Sequence, residues 1–106
     1  MKTSRSDDGT RLTIFLSGEI DHHTAAHIMR EVMDKLEAEL PRDCILDMSK
    51  VSFMDSSGIA IILKAYKLIN STGGRLAVSN VQAQPMRVLD ASGLDRIIKI
   101  LAPMSE

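Results

Sequence analysis

The first clear pattern in the chain is a two-residue alternation in the segment RLTIFLSGEI. Leu12, Ile14 and Leu16 are separated by single residues that are, on the whole, less apolar. A period of two is typical of a β-strand whose two faces lie in different environments. The pattern stops at Gly18, so the sequence predicts a strand that ends there.

The next segment, DHHTAAHIMREVMDKLEAEL, has apolar residues three or four positions apart with charged residues between them. This spacing predicts an amphipathic helix with one apolar face. Asp21 or Thr24 can cap its N-terminus. Pro41 stops the helix because proline disfavours the helical conformation of the preceding residue. The short apolar run CILDM then predicts another strand.

After VSFMD the pattern changes from strand to helix. Apolar residues are so dense from Ile59 to Ile69 that most of this helix is expected to be buried. Ser56 or Ser57 is predicted at the N-cap, where a side-chain oxygen accepts a bond from an unpaired backbone N–H. In NSTGG a glycine can take the left-handed conformation that ends a helix.

The rest of the chain continues the alternation of strand and helix. RLAVSN predicts a strand, QPMRVLDASG a short helix opened by Pro85 and closed by Gly93, and RIIKIL a last strand. This order favours an α/β fold in which helices pack on one sheet. With 106 residues and no linker or repeat, residues 1–106 are expected to form one domain.

Composition narrows the classes of function. Basic and acidic residues nearly balance at a net charge of −1 and aromatic residues are only 3% of the chain, so nucleic acid is not expected as a partner. The start of the chain has no secretory signal and no apolar run is long enough to span a membrane. We therefore expect a cytoplasmic protein without a membrane partner. Cys44, inside an apolar run, is expected to be a small buried side chain.

Capping alone does not explain why two serines are adjacent in this turn. A cap needs one oxygen, whereas this turn offers Asp55, Ser56 and Ser57, followed by Gly58. A helix N-terminus also stabilises a phosphate group through its free N–H groups and its positive dipole end. A phosphoserine here is therefore compatible with a folded helix, and its charge would face outward.

The motifs GEIDHHTA and FMDSSGIAIILKAYK together closely resemble those of STAS domain proteins called anti-sigma factor antagonists. GGRLAVSNV and DASGLDRIIKI extend the resemblance over nearly the whole chain, and DHHTA is most similar to the sporulation branch, the anti-sigma F factor antagonists. The resemblance implies a STAS, SpoIIAA-like α/β fold: a single mixed β-sheet with helices packed on one face.

The resemblance also implies a function in regulating transcription. Such proteins bind an anti-sigma factor that is also a serine kinase, and so release a sigma factor. The kinase phosphorylates the serine directly after the motif aspartate, here Ser56, and the phosphorylated protein lets go until a serine phosphatase resets it. No cofactor or metal is implied. The partner-binding residues implied by the motifs are Asp21, His22, His23, Thr24, Asp55, Ser56, Ser57, Gly58 and Ile59.

One position departs from the family pattern. Relatives commonly have a second glycine two residues after the first, where this chain has Ala60. The added methyl group limits close approach of a partner backbone on that face, so the resemblance identifies the fold more firmly than the cognate kinase.

Parts of these motifs also occur in proteins with other functions. Asp21, a neighbouring histidine and Ser56 resemble a hydrolase triad in composition, but no G-x-S-x-G elbow presents the serine. The letters DHH also occur in phosphoesterases, without the further spaced ligands that those enzymes need. His23 and His27 have metal-ligand spacing but no third ligand nearby in sequence. A STAS scaffold subunit of a stress-signalling complex is the remaining alternative, and its large assemblies would distinguish it.

Overall fold

The computed structural model describes residues 1–101. It contains five strands, three α-helices and a single 3-10 turn at Leu94–Arg96. The strands are β1 (Lys2–Arg5), β2 (Arg11–Ile20), β3 (Asp43–Met54), β4 (Arg75–Ser79) and β5 (Lys99–Leu101). The helices are α1 (Ala25–Glu39), α2 (Ser56–Ser71) and α3 (Ala83–Ser92).

The five strands form a single mixed sheet in which neighbours follow chain order, β1-β2-β3-β4-β5. β1 and β2 are antiparallel, and every later pair is parallel. One helix therefore connects each successive pair of parallel strands, as parallel pairing requires. The predicted α/β class and mixed sheet are confirmed.

The alternation in the strands decides which face of the sheet is buried. Leu12, Ile14, Leu46 and Val78 point to one face and are fully buried under the helices. On α2 the buried residues lie on the side that meets the sheet and α1. They are Gly58, Ile61, Ile62, Ala65 and Ile69. The opposite side of the sheet, which we call the open sheet face, presents half-buried Thr13, Phe15, Ile45 and Ala77.

The C-terminal ends of the helices follow the predicted signals, whereas the start of α3 does not. Gly73 and Gly93, with φ of 80° and 77°, take the left-handed conformation after α2 and α3. α1 instead ends on Leu40, which has φ of 42° and is 57% exposed, before Pro41 continues the chain. Leucine adopts this backbone region only at some cost because of its Cβ. α3 begins at Ala83, so Pro85 lies within its first turn and does not open it.

Several strand bounds differ from the prediction for identifiable reasons. β2 does not end at Gly18, which has φ of 89°, but continues to Ile20. Its pairing with β3 is irregular on both sides of Gly18. β3 extends from CILDM through VSFM because its second half still pairs with β2. The last strand is shorter than RIIKIL, since Leu94–Arg96 form a 3-10 turn. β1 was not predicted because KTSR has no apolar alternation.

Candidate functional site

The turn between β3 and α2 is organised by Asp55. Its backbone N–H donates to the carbonyl of Ile20 at 3.1 Å, which ties the turn to the end of β2. One oxygen of its side chain accepts a bond from the N–H of Ser57 at 2.8 Å. Asp55 is therefore the N-cap of α2, and the prediction of a serine at that position was wrong. Both serines lie in the first turn of the helix.

Because Asp55 caps α2, neither serine hydroxyl is needed as the cap. Ser56 is exposed and Ser57 is half-buried. Within residues 1–101 neither hydroxyl makes a hydrogen bond to the protein, and no buried side-chain polar atom there lacks a partner, so both hydroxyls reach solvent. Ser56 is thus a free hydroxyl at a helix N-terminus, where added phosphate charge is favoured.

Gly58 and Ile59, both predicted to bind a partner, are less exposed than Ser56. Gly58 is buried, and a Cβ on it would lie only 2.5 Å from the Met54 sulfur in the core. Glycine is needed there for packing, and any effect of Gly58 on a partner is indirect. Ile59 is half-buried, whereas Ala60 is exposed one turn after Ser56 on the same side of α2.

The loop before α1 is held by Asp21. Its carboxylate accepts backbone bonds from Thr24 at 3.1 Å and His23 at 2.9 Å. The Thr24 N–H is the largest cause that lowers the pKa of Asp21. Desolvation opposes it, and the N–H and nearby charge of His23 add to it. Asp21 therefore stays ionised while it shapes the loop. The Thr24 hydroxyl donates to the carbonyl of Glu19 at 3.0 Å, so it does not cap α1.

His22 and His23 project from this loop. Both are exposed, and their ring centroids are 4.0 Å apart with the rings tilted by 38°. The bond from Asp55 to Ile20 places the loop beside the start of α2. The predicted partner-binding residues of the two motifs thus lie at one edge of the sheet, the edge formed by the carboxyl ends of β2 and β3.

The described residues do not form the side-chain arrangements that the catalytic and metal-binding alternatives require. The bonds that Asp21 accepts come from backbone N–H groups and the Thr24 hydroxyl, so no imidazole is oriented as in a hydrolase triad. The ring of His27 lies 3.3 Å from Glu31, and the described residues contain no group of three or more metal-ligating side chains. Burial raises the pKa of Cys44 to about 12, so this thiol is not a nucleophile. No helix among residues 1–101 could cross a membrane.

Sequence reasoning missed the residue that fixes the turn from the other side. β3 pairs with β4 only as far as Asp47, so its last residues have no strand on that side. Gln84 of α3 replaces the missing strand: its side chain accepts from the N–H of Met54 at 2.9 Å and donates to the Met54 carbonyl at 3.0 Å. The only signal in the sequence is a glutamine beside an apolar helix face, which many solvated positions share.

A second polar network lies where β3 leaves β4. The carboxylate of Asp47, which is 7% exposed, accepts from the N–H and hydroxyl of Ser49 at 3.0 and 2.7 Å, from Asn80 at 2.7 Å and from Ser79 at 3.2 Å. Burial raises the pKa of Asp47, but the bonds from Ser49, then Asn80 and Ser79, outweigh it and lower the pKa overall. This network fixes the β3–β4 junction.

Fold and site together define an α/β domain that presents a free seryl hydroxyl at the start of a buried helix. The chain belongs to the STAS domain family, whose pattern it matches over residues 2–105. It is similar to the anti-sigma F factor antagonist of Paenibacillus polymyxa, with 40% identity over 84% of this chain and 76% of the relative. It is also similar to the anti-sigma-B factor antagonist of Bacillus subtilis, with 33% identity over 86% of this chain and 82% of the relative.

Solved structures agree with this assignment of the fold. The anti-sigma factor antagonist SpoIIAA in its unphosphorylated form superposes with a TM-score of 0.80 over 98% of this chain and 88% of that one, at 23% identity. SpoIIAA in its phosphorylated form gives a TM-score of 0.72 over 98% of this chain and 91% of that one. At this identity the two structures support the fold alone.

Proposed function

We propose that this protein is an anti-sigma factor antagonist. It binds an anti-sigma factor that is also a serine kinase, and binding releases the sigma factor that the kinase held. Phosphorylation of Ser56 ends binding, and a serine phosphatase restores it. The protein itself acts in the cytoplasm as a regulator and not as an enzyme. Its relatives named as anti-sigma F and anti-sigma-B factor antagonists support the class of partner.

The observation that carries the proposal is the free hydroxyl of Ser56. Asp55 already caps α2, so Ser56 is exposed and has no hydrogen bond within the described residues. A kinase needs a hydroxyl that it can reach without unfolding a helix. Ser57 is half-buried one residue further on, so it offers less access.

The docking surface in this proposal combines two segments. The loop of Asp21, His22, His23 and Thr24 supplies exposed imidazoles, and the turn of Asp55, Ser56, Ser57 and Ile59 supplies the phosphorylation site. Ala60 lies next to Ser56 on the helix surface and so faces the partner. Its methyl group limits how closely a partner backbone approaches there.

Charge explains how the phosphate would end binding. A phosphoserine brings about −1.5 to −2 charges at neutral pH. At Ser56 this charge would lie next to the carboxylate of Asp55, and Asp21 holds a further ionised carboxylate in the neighbouring loop. Desolvation of this concentrated negative charge by the partner is unfavourable, whereas the helix N-terminus keeps the phosphate compatible with the fold.

The test combines labelling and binding on the same preparations. The protein and its Ser56→Ala and Ser57→Ala variants are incubated with candidate anti-sigma factor kinases and ATP, and the phosphate is located by mass spectrometry. We expect label on Ser56, none in Ser56→Ala, and label retained in Ser57→Ala. A titration with the kinase should then give weaker binding for Ser56→Asp than for Ser56→Ala. Equal affinity of wild type, Ser56→Asp and Ser56→Ala would contradict the switch.

A further inference from the structure

The amino ends of the parallel strands, far from Ser56, form a cavity of about 500 Å³ that we call the notch. It opens where β4 begins, because β5 pairs only with Ala77–Ser79 and leaves the first residues of β4 without a neighbour on that side. Tyr66 and Asn70 from the second half of α2 line it, together with Ile97. At 1.5 Å per residue, Asn70 lies about 21 Å along α2 from Ser56.

The rim of the notch is basic although the whole chain has a net charge of −1. Arg11, Arg75 and Lys99 line it, and Asp43 is the single carboxylate among the lining residues that the structure describes. Asp43 pairs with Nε of Arg75 at 3.2 Å, which leaves the terminal nitrogens of that guanidinium available. Among residues 1–101, neither Arg11 nor Lys99 has a carboxylate within ion-pairing distance.

The wall of the notch is apolar and incompletely covered. Ile45 and Ala77 of the open sheet face, and Leu101 of β5, line it and are half-buried. Ile97 is 53% exposed, which makes it one of four large apolar side chains that the described part of the chain leaves in solvent. An exposed apolar group beside an open cavity marks surface that gains free energy when a partner covers it.

The positions of the cations indicate the kind of ligand. Arg11 and Arg75 begin strands that flank β3, so their backbones lie about 10 Å apart at the usual strand spacing, and Lys99 lies one strand further. A single carboxylate or phosphate held between the two arginines would lie beside the carboxylate of Asp43, which is in register between them and already pairs with Arg75. An extended peptide rises about 3.3 Å per residue and presents every second side chain on the same side, so acidic side chains four residues apart lie on one side about 13 Å apart, within reach of the two long arginine side chains. Apolar side chains between the acids would meet Ile97 and Ala77.

We propose that the notch is a second docking site, which binds an extended segment of another protein in which acidic and apolar residues alternate on the side that faces the notch. Arginine suits this role because its planar guanidinium binds carboxylates through two parallel hydrogen bonds. Since the notch and Ser56 lie at opposite ends of α2, both sites can be occupied in one molecule. The proposal stands whether or not the protein is an anti-sigma factor antagonist.

The experiment follows backbone amide signals by NMR while a capped seven-residue peptide of glutamate and leucine, with glutamates four residues apart and a leucine midway between them, is added. We expect saturable shifts at Arg11, Arg75, Ile97 and Lys99, with little change near Ser56. The same peptide with glutamine in place of glutamate should bind much more weakly. Shifts confined to the start of α2, equal binding of the two peptides, or no shifts at the notch would overturn the proposal.

Matched variants separate a site from general charge attraction. Arg11→Gln and Lys99→Gln should each weaken binding about two- to fivefold, as expected for exposed ion pairs. Arg30→Gln removes an equally exposed cation on α1 and should leave binding unchanged. All three changes are on the surface, so circular dichroism should show an unaltered fold. Loss of affinity in Arg30→Gln as large as in the other two, or peptide binding that appears only after residues 102–106 are deleted, would contradict the proposal.

Discussion

At the scale of single residues, the first turn of α2 divides its tasks between Asp55 and the serines. Asp55 accepts the N–H of Ser57, while the Ser57 hydroxyl makes no bond within the described residues. We therefore expect Asp55→Ala to lower the free energy of unfolding by about 0.5 to 2 kcal/mol, and Ser57→Ala to lower it by less than about 0.5 kcal/mol, as for surface changes. Chemical denaturation of both variants measures this difference, and a larger loss in Ser57→Ala would show that the hydroxyl is the cap.

The sequence alone does not decide which residue caps α2. Asp55, Ser56 and Ser57 are all good capping residues, so their identities do not decide which one has the required extended backbone. The bond from the Asp55 N–H to Ile20 decides it, since it holds residue 55 in line with β3. That contact joins residues 35 positions apart in the chain, and no local pattern reports it.

At the scale of elements, α3 holds the end of β3 through one side chain. Gln84 replaces the backbone partners that β4 would have supplied to Met54. Gln84→Ala should therefore raise the hydrogen-exchange rate of the Met54 amide and destabilise the domain by about 1 to 3 kcal/mol, because buried backbone groups lose their partners. Gln82→Ala is the control: it removes an exposed bond to the Ser49 carbonyl and should leave Met54 protected. Unchanged exchange at Met54 in Gln84→Ala would refute the role of Gln84.

The elements that sequence predicted best are those in which periodicity and burial agree. The alternation of Leu12, Ile14 and Leu16 predicted β2, and the dense apolar run after Ser56 predicted α2. Each prediction held because these side chains form one face of the core. β1 was not predicted because its stability comes from pairing with β2 and not from apolar side chains. The two hydrogen bonds between Gln84 and Met54 were not predicted for a related reason, because they depend on where the pairing of β3 with β4 ends.

At the scale of the whole molecule, stability should fall at acid pH through the Asp47 network. The folded pKa of Asp47 is below its ordinary value, so its contribution is complete above about pH 5 and is lost as the pH falls through the lowered pKa. We expect Asp47→Asn to cost about 1 to 3 kcal/mol at pH 7. The difference from wild type should shrink between about pH 5 and pH 2, as urea denaturation at each pH would measure. A constant difference over that range would mean that the charge of Asp47 is irrelevant.

The agreement between strand order and chain order has a consequence for how the protein is made. A ribosome releases the chain from its N-terminus, and here every new strand can join the edge of the sheet already formed, with no strand inserted later between two others. At each stage before the last, the newest strand is an uncovered edge that could pair with another unfinished chain. β5, only three residues long, is the last strand among residues 1–101 and is a short edge that offers little for such pairing.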